Sequence, residues 1–315
     1  MTGGKENPRF EVILAEDSKP GADGAAGMPA RLARYSEARR RALEMQAYCV
    51  EHGHVKEGGK LEGCGNYLLF RHYYTVDRVR LGAASFCKKH LLCPLCAVRR
   101  GAKMLGAYLE KFEAVRQEHP HLVPYLVTLT VKNGDELGER LRHLRKSMRA
   151  MTQARRDHLK APKKNRHVEF ARSMGGFHSI EVTNKGKGWH PHVHMIWLCA
   201  SEPSQEALRA EWLAWTGDSH VVDVRPLHDP VEGFMEVCKY ALKFSDLEPA
   251  DNFHAYEVMA GHRLVDAHGV MRGVDIPESL LDEPLDDLPY VEWFYRYFDG
   301  IGYSLTSSPR SFHDN

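Results

Sequence analysis

Between residues 123 and 244, short apolar segments of period two alternate with longer ones of period three to four, and this order constrains the fold more than any other property. "PYLVTLTVKN" reads as a strand ending at Asn133-Gly134, residues 136–159 as a long basic helix, and "GGFHSIEVTN" and "HVHMIWLCA" as two further strands. "NKGKG" joins that pair as a hairpin connection. A helix over residues 204–215, a strand at "HVVDVRPL" and a helix over residues 230–244 complete a β-α-β-β-α-β succession. With antiparallel pairing, that succession predicts an α+β fold in which helices pack on one face of a sheet.

The 315 residues, 43% of them hydrophobic, suffice for one or two domains. Residues 1–28 are rich in Gly, Ala and charge without apolar periodicity and read as a disordered leader. Leu32, Tyr35, Ala38, Ala42 and Met45 then recur at steps of three or four, which predicts an amphipathic helix over residues 28–50. Residues 52–100, rich in Gly, Cys and basic side chains, read as a small metal-stapled module. A helix over residues 98–118 follows, with Met104, Leu105, Tyr108, Leu109 and Phe112 on one stripe. The expected division is a leader (1–28), an N-terminal helix with a metal module (29–118), a core domain (119–250) and an acidic C-terminal extension (251–315).

No apolar run approaches the roughly 18 residues that span a bilayer, and "MTGGKENPRF" lacks the apolar core of a secretory signal, so a cytoplasmic protein without a membrane partner is expected. The net charge of +1 conceals an asymmetry: residues 246–315 carry 14 Asp or Glu against 4 Lys or Arg, leaving 28 acids and 39 bases in the first 245. Residues 140–166 hold eleven Lys or Arg and a single acid, Asp157. A density of that sign and length points to phosphate, and so to a nucleic-acid partner.

In "GWHPHVHMIWL", alternation sends His192 and His194 to the same side of a strand, with His190 at its entrance. A hairpin through residues 184–188 brings Glu181 of "HSIEVTN" beside them. Two imidazoles and a carboxylate leave coordination positions open, as a catalytic Mn²⁺ or Mg²⁺ requires. His178 is a competing ligand, but its odd offset from Glu181 assigns it to the other face. In "EVCKYALKF", Glu236 and Tyr240 are i, i+4 neighbours on a helix and Lys243 lies one turn on, with Lys239 adjacent. A tyrosine of pKa about 10 needs a cation or a metal-polarised phosphate to act as a nucleophile, and the same pattern also fits a half-buried aromatic among salt-bridging neighbours.

Cys93-Pro-Leu-Cys96 is a Cys-x-x-Cys knuckle, Cys87 precedes it by six residues, and Cys64 is the natural fourth ligand for a structural Zn²⁺, with His72 and His90 as alternates. Cys49, Cys199 and Cys238 lack such spacing and read as packing residues.

Taken in order, "YLVTLTVKN", "SIEVTNKGKGWHPHVHMIWL" and "EVCKYALKF" resemble the three motifs of the rolling-circle replication initiators of small plasmids, within the HUH endonuclease superfamily. "CGNYLLF", "FCKKHLLCPLCAVRRGAK" and "GHRLVDAHGV" extend the likeness across residues 64–269. The resemblance implies a ferredoxin- or RRM-like core and a metal-dependent nickase. His192 and His194 would bind the divalent ion with Glu181 as third ligand. Tyr240, within a Lys-Tyr-x-x-Lys motif formed with Lys239 and Lys243, would attack the scissile phosphate and leave a 3′ hydroxyl primer. Glu236 would activate water at termination. Implied partners are plasmid origin DNA, single-stranded or hairpin at the nick, with host helicase and polymerase. The alternatives are a relaxase or single-strand transposase with the same chemistry, and a non-catalytic zinc-dependent DNA-binding regulator.

Overall fold

The structure, a computed structural model, describes residues 23–162, 167–240, 246–285 and 287–307. In chain order the elements are α1 (Met28–Glu51), α2 (Val55–Glu62), β1 (Tyr67–Tyr73), β2 (Arg78–Ala84), α3 (Pro94–Glu118), β3 (Val123–Thr130), α4 (Leu137–Lys160) and β4 (Ser173–Asn184). There follow β5 (Trp189–Cys199), α5 (Gln205–Thr216), β6 (Val222–Pro226), α6 (Pro230–Cys238), α7 (Pro249–Met259), β7 (Val265–Gly269), β8 (Val291–Phe298) and β9 (Gly302–Ser307). The chain divides into two compact units, one of Met1–Met104, Glu248–Asn252 and Pro277–Asn315, the other of Leu105–Leu247 and Phe253–Ile276.

In the first unit, four antiparallel strands lie in the order β2-β1-β8-β9. The expected stripe of α1 is buried, with Tyr35, Ala38, Ala42, Met45 and Cys49 all inside, and Tyr35 stacks on Phe70 of β1 at 6.5 Å. Arg31 and Arg39 share that stripe and are also buried, so each needs a partner. Asp282 supplies one. Its Oδ2 lies 3.0 Å from Arg31 Nη2 and accepts from the Leu81 amide at 2.8 Å, while Oδ1 lies 2.5 Å from Arg99 Nη2. Burial opposes the charged carboxylate, but Arg99 and Arg31 outweigh it and hold the group well below the usual carboxylate range.

Asp282→Ala strands Arg31 and Arg99 in the interior, at an expected cost of about 3–5 kcal/mol. Because the folded pKa is depressed, this stabilisation is full above the ordinary carboxylate pKa of about 3.9 and drains away as pH falls toward the folded value. Denaturant midpoints across an acid pH series should therefore fall for the wild type, and the fall should be shallower for Asp282→Asn. A wild-type midpoint in the Ala variant would remove Asp282 from this role.

Division by contacts differs from the division expected from composition. Residues 277–315 join the N-terminal unit, β8 pairs with β1 in antiparallel register from Tyr67↔Arg296 to His72↔Val291, and acidity alone gave no sign of the two strands.

The second unit carries a five-stranded antiparallel sheet in the order β6-β3-β5-β4-β7. The α+β class and the β-α-β-β-α-β succession hold, with β7 added beyond β4. Ser204 caps α5 by accepting from the Ala207 amide at 3.2 Å, and Gly217 ends it at φ +75. The crossover helices α4 and α5 pack together, and α4 lies on the sheet face where Phe170 stacks on Trp197 at 4.9 Å. The opposite face is covered as well: Tyr108 of α3 stacks on Phe177 at 3.8 Å and Phe234 of α6 meets the same ring at 5.1 Å. Helices thus occupy both faces. The one-face expectation describes only the crossover pair.

Asp229 accepts from the Val231 amide at 2.8 Å and Pro230 opens α6, which runs to Cys238, with Tyr240 again helical after a one-residue turn. Lys239 turns the backbone at ψ 4, and residues 241–245 lie outside the described residues.

Candidate functional site

Register places the histidines. Glu181 of β4 pairs with His192 of β5 and Ser179 with His194, while Thr130 and Thr128 of β3 oppose the same two histidines from the other side. Directly opposed side chains share a face, so Glu181, His192 and His194 rise from one side of adjacent strands. Glu181 is fully buried, its Oε2 3.2 Å from His192 Nε2 and 3.6 Å from His194 Nε2. The donor atoms of the three residues lie within 4.8 Å of one another.

Two observations fit a cation here. Glu181 Oε1 is buried with no hydrogen-bond partner, which is costly for a carboxylate oxygen unless something positive meets it. His192 Nδ1 lies 3.2 Å from the His190 carbonyl and Nε2 faces Glu181, so both ring nitrogens meet acceptors. With Nδ1 turned to the carbonyl, Nε2 faces the carboxylate, and an ion between them would be met by both. One carboxylate and two imidazoles form a donor set for a divalent cation. Burial works against charge at both Glu181 and His194, yet their attraction prevails, lowering the carboxyl and raising the imidazole from their ordinary values.

His178 pairs with Met195 and Asp266 and projects from the other face, where burial lowers its pKa to about 4. His190 stands outside the cluster, its Nδ1 2.5 Å from Asn133 Oδ1. Helix α6 carries Glu236 to the cluster: its Oε1 lies 3.8 Å from His194 Nε2, and its Oε2 is ion-paired with Lys239 Nζ. Tyr240 follows the turn at Lys239 and is 5% exposed. Tyr240 is itself helical, and only the one-residue turn at Lys239, whose amide still donates to the Met235 carbonyl, separates it from the helix of Glu236. Lys243 lies outside the described residues.

Thr128 was missed in the sequence because only strand register reveals its facing. Its Oγ1 lies 3.0 Å from His194 Nδ1, fixing the ring with Nε2 toward Glu181. Thr128→Val keeps the shape and removes this bond, and Mn²⁺ affinity measured by calorimetry should fall about 10- to 100-fold. Unchanged affinity would leave Thr128 a packing residue.

In the first unit, Cys64 Sγ lies 3.5 Å from Cys93 Sγ and from Cys96 Sγ, and Cys87 Sγ lies 3.6 Å from Cys96 Sγ. A sulfur tetrahedron around zinc at about 2.3 Å has edges of about 3.8 Å, so the four thiols fit that ion. Hydrogen bonds from Cys64, Cys93 and Cys96 hold the Cys87 thiol below the ordinary range. Cys64 is the fourth member. His72 instead meets Asp77 at 2.9 Å. Cys49, Cys199 and Cys238 are buried apart from the cluster.

The basic segment forms α4, where Arg142, Lys146, Arg149, Arg156 and Lys160 are exposed at steps of three, four or seven. Arg155 turns inward to the Ser173 carbonyl at 2.7 Å. Lys163, Lys164 and Arg166 lie outside the described residues. The exposed stripe is on the face of the sheet opposite the histidines.

Fold and site together define an α+β protein whose central strands carry a two-histidine, one-carboxylate centre beside a Lys-Tyr helix end. A family described as replication proteins matches residues 78–291, more than half of the chain, and the chain belongs to that family, the plasmid rolling-circle initiators. Among curated relatives, each named "Protein rep", one from Bacillus sp is 24% identical, the match covering 75% of this chain and 85% of that protein. Another from Lactiplantibacillus plantarum is 27% identical over 75% of this chain and 79% of its own length. A third, from Streptococcus pneumoniae serotype 2, is 29% identical over 61% and 58% respectively. No solved structure matches the chain. No helix among the described residues is long and apolar enough to cross a membrane.

Proposed function

We propose that this replication initiator nicks and rejoins one strand of its plasmid origin through a 5′-phosphotyrosine intermediate. The observation that carries the reading is the convergence of Glu181, His192 and His194, with an orphaned carboxylate oxygen, at a point 3.8 Å from Glu236. Those three residues would hold a divalent ion, Mn²⁺ or Mg²⁺, which when bound would supply polarisation of a phosphate oxygen. The Tyr240 oxygen forms the new bond to the scissile phosphorus, the bond from phosphorus to the 3′ oxygen breaks, and that oxygen takes up a proton to become the primer hydroxyl. Lys239 and Lys243 favour the phenolate. Thr128 keeps His194 oriented. The stripe on α4 contributes phosphate contacts that position the duplex without reading its sequence. Zn²⁺ on Cys64, Cys87, Cys93 and Cys96 serves structure. In the cytoplasm a host helicase then unwinds the duplex and a host polymerase extends the primer.

Glu236 has the later task. At termination a water must attack the second phosphate, the bond from that phosphorus to its 3′ oxygen breaks and the freed oxygen is protonated, and Glu236 accepts the water's proton. In Glu236→Ala the first nick should persist while hydrolytic release falls, so covalent protein–DNA product accumulates. A mere surface ion pair with Lys239 would cost about 0.5 kcal/mol or less and leave both steps intact. Single-turnover nicking and release on one origin substrate separate these cases.

A relaxase or transposase would share the chemistry but is not favoured by the replication-protein match. A non-catalytic regulator needs no unpartnered buried carboxylate oxygen. The test is incubation of supercoiled origin plasmid with protein and Mn²⁺. Open circles bearing covalent protein support the proposal, and footprinting without cleavage would support the regulator.

A further inference from the structure

The first unit's sheet has a second face. Tyr35 and the rest of α1 cover the side carrying Leu68, Phe70, Val79 and Leu81. By strand alternation and register, the other side carries Tyr67, Leu69, Arg71, Tyr73, Arg78, Arg80, Gly82, Glu292, Phe294 and Arg296. Tyr290 covers its Tyr73 end, 5.4 Å from that ring and with its own ring 4.9 Å from the Arg71 guanidinium carbon. Tyr67 and Phe294 stack on one another at 5.6 Å with planes 22° apart, both half-buried, and Arg296, directly across from Tyr67, is exposed. Arg71 lies flat across β2, so that a Cβ at Gly82 would come 3.2 Å from its Nε. Phe298, at 41% exposure, continues the aromatic row.

The electrostatics of this face are unbalanced. Arg71 and Arg80 are direct cross-strand partners, an arrangement that like charges disfavour. Glu292 meets Arg71 at 3.3 Å, and Asp23 meets Arg78 at 2.8 Å and Arg80 at 3.4 Å, but four arginines face two carboxylates. A second copy of the chain would set this surplus against itself. An anion with flat, unpaired rings satisfies both properties at once, because bases stack on the aromatic rings while phosphates meet the guanidinium groups.

We infer that this face is a stacking platform for single-stranded DNA, separate from the metal centre and independent of its chemistry. The strand laid on it contributes affinity without sequence preference, since each base offers a π face. The platform belongs to the zinc-bearing unit, giving that unit a binding role beyond its structural ion.

The experiment uses the full chain, a fluorescein-labelled oligothymidylate and excess EDTA, so that no cleavage occurs and failure of the nicking proposal is read separately. Anisotropy should report salt-sensitive binding by the wild type. Combined Tyr67→Leu and Phe294→Leu should weaken it about tenfold or more, whereas Tyr67→Phe, which keeps the π face, should bind as the wild type does. Arg296→Ala, at an exposed position, should weaken binding and flatten its dependence on salt. Wild-type affinity in the folded double Leu variant would overturn the platform. So would equal binding of duplex and single strand with both affected alike, or no effect of Arg296→Ala. If the double variant does not fold, the Tyr67→Phe and Arg296→Ala results decide.

Discussion

Tyr240→Phe is expected to abolish the covalent protein–DNA product while leaving origin binding near the wild-type level. The substitution removes a single oxygen. Tyr240 is buried just beyond the turn that ends α6, and Phe preserves the packing of its ring. The metal residues Glu181, His192 and His194 are untouched, as are Glu236 and Lys239. What disappears is the oxygen proposed to bond to phosphorus, and nucleophilic catalysis requires a specific oxygen at the phosphate. Activity should fall to background in gel assays of plasmid relaxation. Persistent adduct would move the nucleophile, with Tyr256 of α7 the next to examine.

Removal of zinc should have the second large effect. The four sulfurs of Cys64, Cys87, Cys93 and Cys96 join the loop before β1, the chain after β2 and the first turn of α3. Without an ion, those thiols face one another with little to hold them. Zinc binding supplies about 10–16 kcal/mol in small structural sites, comparable to the whole net stability of a domain at about 5–15 kcal/mol. Elemental analysis should find one zinc per chain, and its chelation should unfold residues 52–100 before the second unit loses structure. Zinc-free folded protein with four freely titratable thiols would contradict this.

The face shared by Glu181, His192 and His194 was legible in the sequence because it depends on parity and a short hairpin, both local. The cysteine knuckle was legible for a similar reason, since Cys87, Cys93 and Cys96 are near neighbours in sequence. Features set by distant segments were not. The pairing of β8 with β1 joins strands more than 200 residues apart, and its acidic surroundings masked the alternation of "VEWFYRYF". Asp282 reads as one acid among many until Arg31 and Arg99 are seen to enclose it. The one-residue turn at Lys239 was hidden too, since "EVCKYALKF" contains no Gly or Pro and propensity continues through it. Thr128 shows the same limit at the site, where facing depends on which strand lies beside β5.

The central claim is that Tyr240 becomes joined to DNA at the Glu181, His192 and His194 centre. Its most direct test is to react the full chain with a labelled origin oligonucleotide, digest the adduct and identify the modified peptide by mass spectrometry. The account predicts a nucleotide on Tyr240, formed with Mn²⁺ or Mg²⁺ and absent in EDTA or in His194→Ala. A label on another residue, or undiminished labelling of Tyr240 in EDTA and in His194→Ala, would contradict it.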